Sequence, residues 1–233
     1  IGCQGGRKAG IPGEDAEGVM TAVDFLRTVG ADESYPVTGK AVVVGGGNVA
    51  IDVARTAQRC GAESVAMFCL EPRDKMPASE EEIAEALEED VTIDCGWGPK
   101  EILTENGRVT GIVFKRCVSV WDKDGKFAPA YDENDTKTVP CDRVFLSIGQ
   151  SILWGDLLKG SKVELGRGNG AVADSLTYQT PELLSKPYYI SCDMSKYIAA
   201  IINSLNHDVS IGNSLSPTDK IQKLIRKYNE GLL

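Results

Sequence analysis

The strongest constraint on this chain is the run Val42-Val43-Val44-Gly45-Gly46-Gly47-Asn48-Val49-Ala50. A short, unbroken stretch of β-branched residues is the pattern of a strand buried on both faces, as in a parallel sheet. Here it runs straight into three glycines. Residues 48–60 follow with Ile51, Ala54 and Ala57 at helical spacing, Gly61 closes that helix, and a second apolar run starts at Val65. Strand, glycine turn, helix and strand fit within about 30 residues, the size of one βαβ unit. The glycine spacing is G-x-G-x-x-A. Gly45 permits the tight exit from the strand, Gly47 lets the backbone approach a pyrophosphate, and Ala50 is small enough for close helix–sheet packing. The helix start then presents free N–H groups and the positive end of its dipole to phosphate. Gly45, Gly46, Gly47, Asn48, Val49 and Ala50 are therefore candidate dinucleotide-binding residues.

The end of the second strand selects between nicotinamide dinucleotides. An acidic side chain there bonds the ribose 2′-OH of NAD, whereas a nearby arginine accommodates the 2′-phosphate of NADP. The segment reads Phe68-Cys69-Leu70-Glu71-Pro72-Arg73-Asp74. Glu71 favours NAD(H) because it repels a 2′-phosphate. Arg73 could still accept NADP(H), so both cofactors stay open.

Residues 16–29 carry apolar side chains near one helical face, and Gly30 suits the C-terminal cap. Ser79 followed by Glu82 is a capping box that opens another helix, and residues 91–94 form a short strand. From residue 100 the rhythm changes to alternation, broken by Asn106-Gly107 and by Asp122-Lys123-Asp124-Gly125, both hairpin signals. The pattern predicts a small antiparallel meander with residues 132–137 as a solvated hairpin tip. Residues 143–148 read as a last buried strand ending at Gly149-Gln150. Farther on, 188–190 read as a strand, and 196–205 and 218–229 as helices. The expected fold is α/β: a Rossmann-like NAD(P)-binding domain with helices on both faces of a mostly parallel sheet, an antiparallel β-meander, and part of a second domain.

Composition removes other classes. Twenty-five Lys and Arg against 34 Asp and Glu give a net charge of −9, which leaves no basic excess for nucleic acid. No run approaches the ~20 apolar residues of a membrane span. The first residues lack both a charged n-region and an apolar h-region, so no signal peptide is expected, and the start reads like the interior of a longer chain. Seven cysteines stand at 3, 60, 69, 95, 117, 141 and 192 without a C-x-x-C pair. Reduced thiols in a cytoplasmic protein, with no zinc or cysteine-ligated cluster, are expected. His207 is the one histidine, nothing places a nucleophile beside it, and no catalytic residue is assigned.

Ile1-Gly2-Cys3-Gln4-Gly5-Gly6-Arg7, Gly10-Ile11-Pro12-Gly13-Glu14-Asp15, the glycine turn through Asp52, Met76-Pro77-Ala78-Ser79, Ser147-Ile148-Gly149-Gln150 and Leu176-Thr177-Tyr178-Gln179-Thr180 occur in that order. Over roughly residues 1–180 the chain resembles the small (beta) subunit of glutamate synthase and its relatives, the flavoprotein oxidoreductases with two dinucleotide-binding domains. The resemblance implies an FAD-type domain, 1–35 and 151–233, split by an NAD(P)-binding domain at 36–150. It implies that NAD(P)H passes hydride to FAD, with electrons leaving for iron–sulfur centres or a partner subunit. It places Gly149 near the nicotinamide and Asp193 at the acidic position of the family's Gly-Gly-Asp, where this sequence has Ser191-Cys192-Asp193. Side chains there occupy space that glycines leave for the flavin. The family's first FAD half would precede Ile1, so the chain alone is expected not to turn over. The alternative is a non-catalytic electron-transfer or assembly module that has lost its flavin.

Overall fold

The computed structural model describes residues 2–166, 168–175, 179–185, and positions 222, 225, 226, 229 and 230. The chain divides into two units, Ile1–Ala171 and Val172–Leu233.

In the first unit the elements run β1 (Gly5–Gly6), β2 (Val19–Thr21), α1 (Ala22–Ala31), β3 (Lys40–Val44), α2 (Asn48–Arg59), β4 (Ser64–Cys69), α3 (Glu80–Glu88), β5 (Thr92–Cys95), β6 (Trp97–Glu105), β7 (Arg108–Trp121), β8 (Phe127–Pro140), β9 (Arg143–Leu146) and β10 (Gln150–Ser151). Five of these strands form a parallel sheet in the order β2-β9-β3-β4-β5, with β3 at its centre. Strands β6, β7 and β8 form the antiparallel meander, and β1 pairs with β10. In the second unit, α4 (Pro181–Leu184) starts at Thr180, whose hydroxyl accepts the Leu183 N–H at 3.2 Å.

Alternation along each central strand builds two cores. Ala41, Val43, Val65, Met67 and Phe145 point to one side, where they meet Phe25 of α1, Ile51, Val53 and Ala54 of α2, and Ile83 of α3. Phe25 and Phe145 pack ring to ring at 4.2 Å. Val42, Val44, Phe68, Val144 and Leu146 point to the other side and meet Trp97, Ile102, Ile112 and Phe114 of the meander. Phe68 stacks on Phe114, with centroids 4.2 Å apart and planes 17° from parallel. Helices on both faces were expected; in this unit α1, α2 and α3 cover one face and the meander covers the other. An apolar run shows that both strand faces are buried, but carries no information on what buries them.

Two further expectations are corrected. The helix expected over 16–29 begins only at Ala22, because Val19–Thr21 is a strand paired in parallel with β9, Val19 opposite Val144 and Thr21 opposite Leu146. Thr21 ends the strand and caps the helix, its hydroxyl accepting the Asp24 N–H at 3.3 Å. The helix continues through Gly30 to Ala31, and Asp32 is its C-cap, donating its N–H to the Thr28 carbonyl at 2.9 Å. Residues 132–137 are not a hairpin tip. They belong to β8, and the turn lies at 122–126, where the Asp122 N–H meets the Lys126 carbonyl at 2.9 Å. The register jumps from Lys115↔Thr136 to Arg116↔Asp132, so residues 133–135 bulge outward. The bulge is held by Glu133 to Lys115 at 2.6 Å and Asp135 to Arg116 at 3.0 Å. Of the expected helix over 218–229, Gln222, Ile225, Arg226 and Asn229 are helical; the other positions there, and 188–190 and 196–205, lie outside the described residues.

Helices α2 and α3 are fastened by charge. Arg59 Nε donates to Glu89 Oε2 at 3.0 Å and Arg55 Nε to Glu89 Oε1 at 2.9 Å. Arg59 foremost, and Arg55 with it, hold the Glu89 carboxyl below the usual carboxylate range. A depressed folded-state value contributes stability above the unfolded value, and that contribution is lost as pH falls through the folded one. Thermal melts of the wild type are therefore expected to drop more steeply than those of Glu89→Gln as pH falls below about 4.5, the carboxyl's ordinary value. Parallel curves for the two proteins would contradict this.

Candidate functional site

The glycine turn sits at the C-terminal end of β3, where dinucleotides bind in open α/β sheets. Gly45 has φ +143°, and its N–H donates to the Phe68 carbonyl at 2.8 Å. A methyl group on Gly45 would lie 2.3 Å from the Ser147 carbonyl oxygen. One on Gly46 would lie 2.8 Å from Cys69 Cβ and 3.1 Å from Glu71 Oε2. Gly47 differs: its φ is −93°, and a methyl group there would have no atom within 4 Å. So Gly45 and Gly46 are glycines because the protein crowds them. Gly47 faces open space that a ligand can fill.

Helix α2 is prepared for an anion. Gly47 is its N-cap and supplies no side-chain acceptor, and its first turn carries no acidic residue. By contrast, Thr21 caps α1, and Ser79 caps α3 above three glutamates. The first-turn N–H groups of α2 and its positive dipole end are left to a ligand. Ala50 is fully buried against the sheet, whereas Val49 is 36% exposed. The Asn48 side chain turns sideways: Asn48 Oδ1 accepts the Ser79 N–H at 2.9 Å, and the Gly46 carbonyl accepts the Ala78 N–H at 3.0 Å. Residues 76–79 thus lock the turn to the start of α3.

A cleft of about 440 Å³ opens over this turn, lined by Gly45, Gly46, Gly47 and Glu71 on one side. Trp97, Pro99, Phe127 and Tyr131 of the meander line the other side. The sequence reading missed these four. Trp97 is buried and held by its indole N–H on Asp94 Oδ1 at 3.0 Å, with Arg116 stacked 3.7 Å from the ring centroid. Lys115 lies 4.3 Å from the Tyr131 centroid, and burial, with Cys117 and Glu133 nearby, pushes the Tyr131 phenol up. Phe127 is 66% exposed at the cleft mouth.

Glu71 and Arg73 are separated. Glu71 lines the cleft, while Arg73 sits in a single 3₁₀ turn, Arg73–Lys75, and pairs with Glu80 at 3.2 Å. Gly149 lies in an adjoining hollow of about 420 Å³ with Gly47, Val49, Ser147 and Gln150. It has φ +110°, and its carbonyl accepts the Arg7 N–H at 3.1 Å. Asp193 lies outside the described residues. Among the described residues no group of three or more His, Cys, Asp or Glu is arranged to hold a metal. No described helix is long and apolar enough to cross a membrane.

A strand, an uncapped helix behind a glycine turn and a cleft at the sheet's C-terminal edge define a dinucleotide-binding α/β protein. Residues 2–182 match the family model for pyridine nucleotide-disulphide oxidoreductases, and the chain belongs to that family. The chain is 33% identical over 187 residues to the NADP(+)-dependent formate dehydrogenase subunit beta of Moorella thermoacetica, covering 77% of this chain and 26% of that one. It is 35% identical over 153 residues to the glutamate synthase [NADPH] small chain of Halomonas elongata, covering 61% of this chain and 32% of the relative. It thus spans about a quarter to a third of these relatives. In fold it matches the FprA oxidoreductase of Mycobacterium tuberculosis (His57Gln mutant), with a TM-score of 0.61 at 19% identity, over 78% of this chain and 54% of that one.

Proposed function

We propose that residues 7–149, rather than 36–150, are the nicotinamide-dinucleotide unit of a flavin-linked oxidoreductase, because β2 and α1 share its sheet and core, and that the unit prefers NAD(H) to NADP(H). The observation that carries this is the open space at Gly47 in front of the uncapped start of α2, with Glu71 at the same cleft. Gly46, Gly47 and the first turn of α2 would hold the pyrophosphate, Asn48 and Ala50 keeping the turn in place. Glu71 would accept the ribose 2′-OH, as an acidic residue at the end of a second strand does. Arg73 is paired with Glu80 on the surface rather than with a group in the cleft. Gly149 and Val49, in the adjoining hollow, face the nicotinamide side. The bound dinucleotide supplies a hydride, so this chain needs to position and shield rather than provide an acid or base. The aromatic meander residues form one wall of the cleft that holds Glu71.

Residues 1–6 and 150–233, Asp193 included, would in this reading belong to an FAD-type domain whose flavin would accept the hydride. Electrons would then pass to iron–sulfur centres or a partner subunit. The chain by itself is expected to show no steady-state NAD(P)H oxidation, and turnover without added flavoprotein would contradict that. The test is an absorbance spectrum of the purified chain followed by titration with NADH and NADPH. Tighter binding of NADH is expected, with or without a flavin spectrum. Tighter NADPH binding would overturn the role of Glu71. Binding of neither would favour an assembly module, the reading to which Ser191-Cys192 also points.

A further inference from the structure

Three sulfur atoms converge beneath the glycine turn. Cys69, the last residue of β4, is the direct register partner of Cys95, the last residue of β5. Their Sγ atoms lie 3.6 Å apart, and Cys95 Sγ lies 3.8 Å from Met76 Sδ. Met76 immediately follows the 3₁₀ turn. Metal–sulfur bonds of about 2.3 Å span sulfur–sulfur edges of about 3.8 Å in a tetrahedral set and about 4.0 Å in a trigonal one. The Cys69–Cys95 and Cys95–Met76 separations are therefore close to the edges that one shared ion would span. Cys69 lines the cleft, which gives an ion a path in. Two thiolates and a thioether form a soft donor set, which selects copper(I) over harder divalent ions.

We propose that Cys69, Cys95 and Met76 form a binding site for one monovalent soft metal ion of the copper(I) class. Binding replaces two S–H protons: the two thiols and Cu⁺ give a bis-thiolate complex with the thioether as third ligand, and two protons leave. No electron moves. An ordinary thiol, with a pKa of about 8.5, is mostly protonated at neutral pH, so close to two protons are released on binding. Affinity therefore rises with pH. The site does not depend on the nucleotide reading, since the three sulfurs stand together whatever fills the cleft.

The test is an anaerobic titration of the reduced, full chain with copper(I) against the chelator bathocuproine disulfonate, with proton release followed in weak buffer at pH 7. One ion per chain is expected to be withheld from the chelator, with close to two protons released. Cys69→Ser and Cys95→Ser are expected to lose that ion. Met76→Leu keeps both thiols and the apolar bulk, and is expected to weaken retention about tenfold through loss of the thioether alone. Thermal melts establish that each variant folds; if a serine variant does not, Met76→Leu decides. The proposal is overturned if the wild type retains no ion, or if retention is the same in Met76→Leu.

Discussion

Gly45→Ala is expected to lose dinucleotide binding and to destabilise the fold, whereas Gly47→Ala is expected to lose binding alone. The difference lies in the surroundings. At Gly45 a side chain must adopt φ +143° and push into the Ser147 carbonyl oxygen 2.3 Å away. Backbone strain of this kind costs about 1–3 kcal/mol, before the clash with an oxygen just past the end of β9. A fall in melting temperature of about 5 °C or more follows for a chain of this size. At Gly47 the backbone is ordinary and the space empty, so the fold changes by no more than about 1 kcal/mol, the usual scale of an N-cap exchange. The new methyl group instead stands where the pyrophosphate would approach, and affinity for NADH falls at least about tenfold. Thermal melts and NADH titrations of the two variants check both halves. Wild-type affinity in a folded Gly47→Ala protein would show that the open space is not the phosphate cradle.

The second large effect is expected at Glu71. Glu71→Arg removes the carboxylate from the cleft and puts a guanidinium in its place, suited to bidentate pairing with a 2′-phosphate. The NADPH-to-NADH affinity ratio is expected to rise by about 10–100-fold, equivalent to ~1.4–2.8 kcal/mol. Arg73→Ala serves as the control. Its guanidinium pairs with Glu80 on an exposed surface, an arrangement that contributes little. The ratio is expected to change less than about twofold. A large loss of NADPH binding in Arg73→Ala would mean that Arg73 leaves Glu80 for the ligand, and would place the specificity element at the 3₁₀ turn, seven residues before the start of α3, rather than at the strand end.

The central strand, the glycine turn and α2 were legible because each is written in local chemistry: β-branched residues, then glycines, then helical spacing. The N-cap of α3 was legible for the same reason, a hydroxyl three residues before the backbone N–H it accepts. What was illegible depends on partners distant in sequence. Val19–Thr21 is a strand because β9 lies alongside it, and its apolar residues also fit the face of α1. The polar stretch within β8 shows no alternation because its charges fold back onto Lys100, Lys115 and Arg116 instead of alternating between core and water. Trp97 and Tyr131 gave no signal in the sequence, since nothing local shows that their sheet forms the far wall of the cleft. The Arg73–Glu80 pair spans a turn and a helix start, a spacing no helical rule predicts.

The short ribbon of β1 and β10 brings Gly6 opposite Gln150 and Gly5 opposite Ser151. The intervening 7–149 therefore leave and return at one point, like a bead closed by a clasp. A host chain interrupted at that clasp meets almost no gap between its severed ends, so the entropy of closing so long a loop is borne within the bead's own folded sheet, not by the host. For a flavin domain split as proposed, the host would have to match the spacing of two antiparallel strands and the bond from Arg27 of α1 to the Gln4 carbonyl.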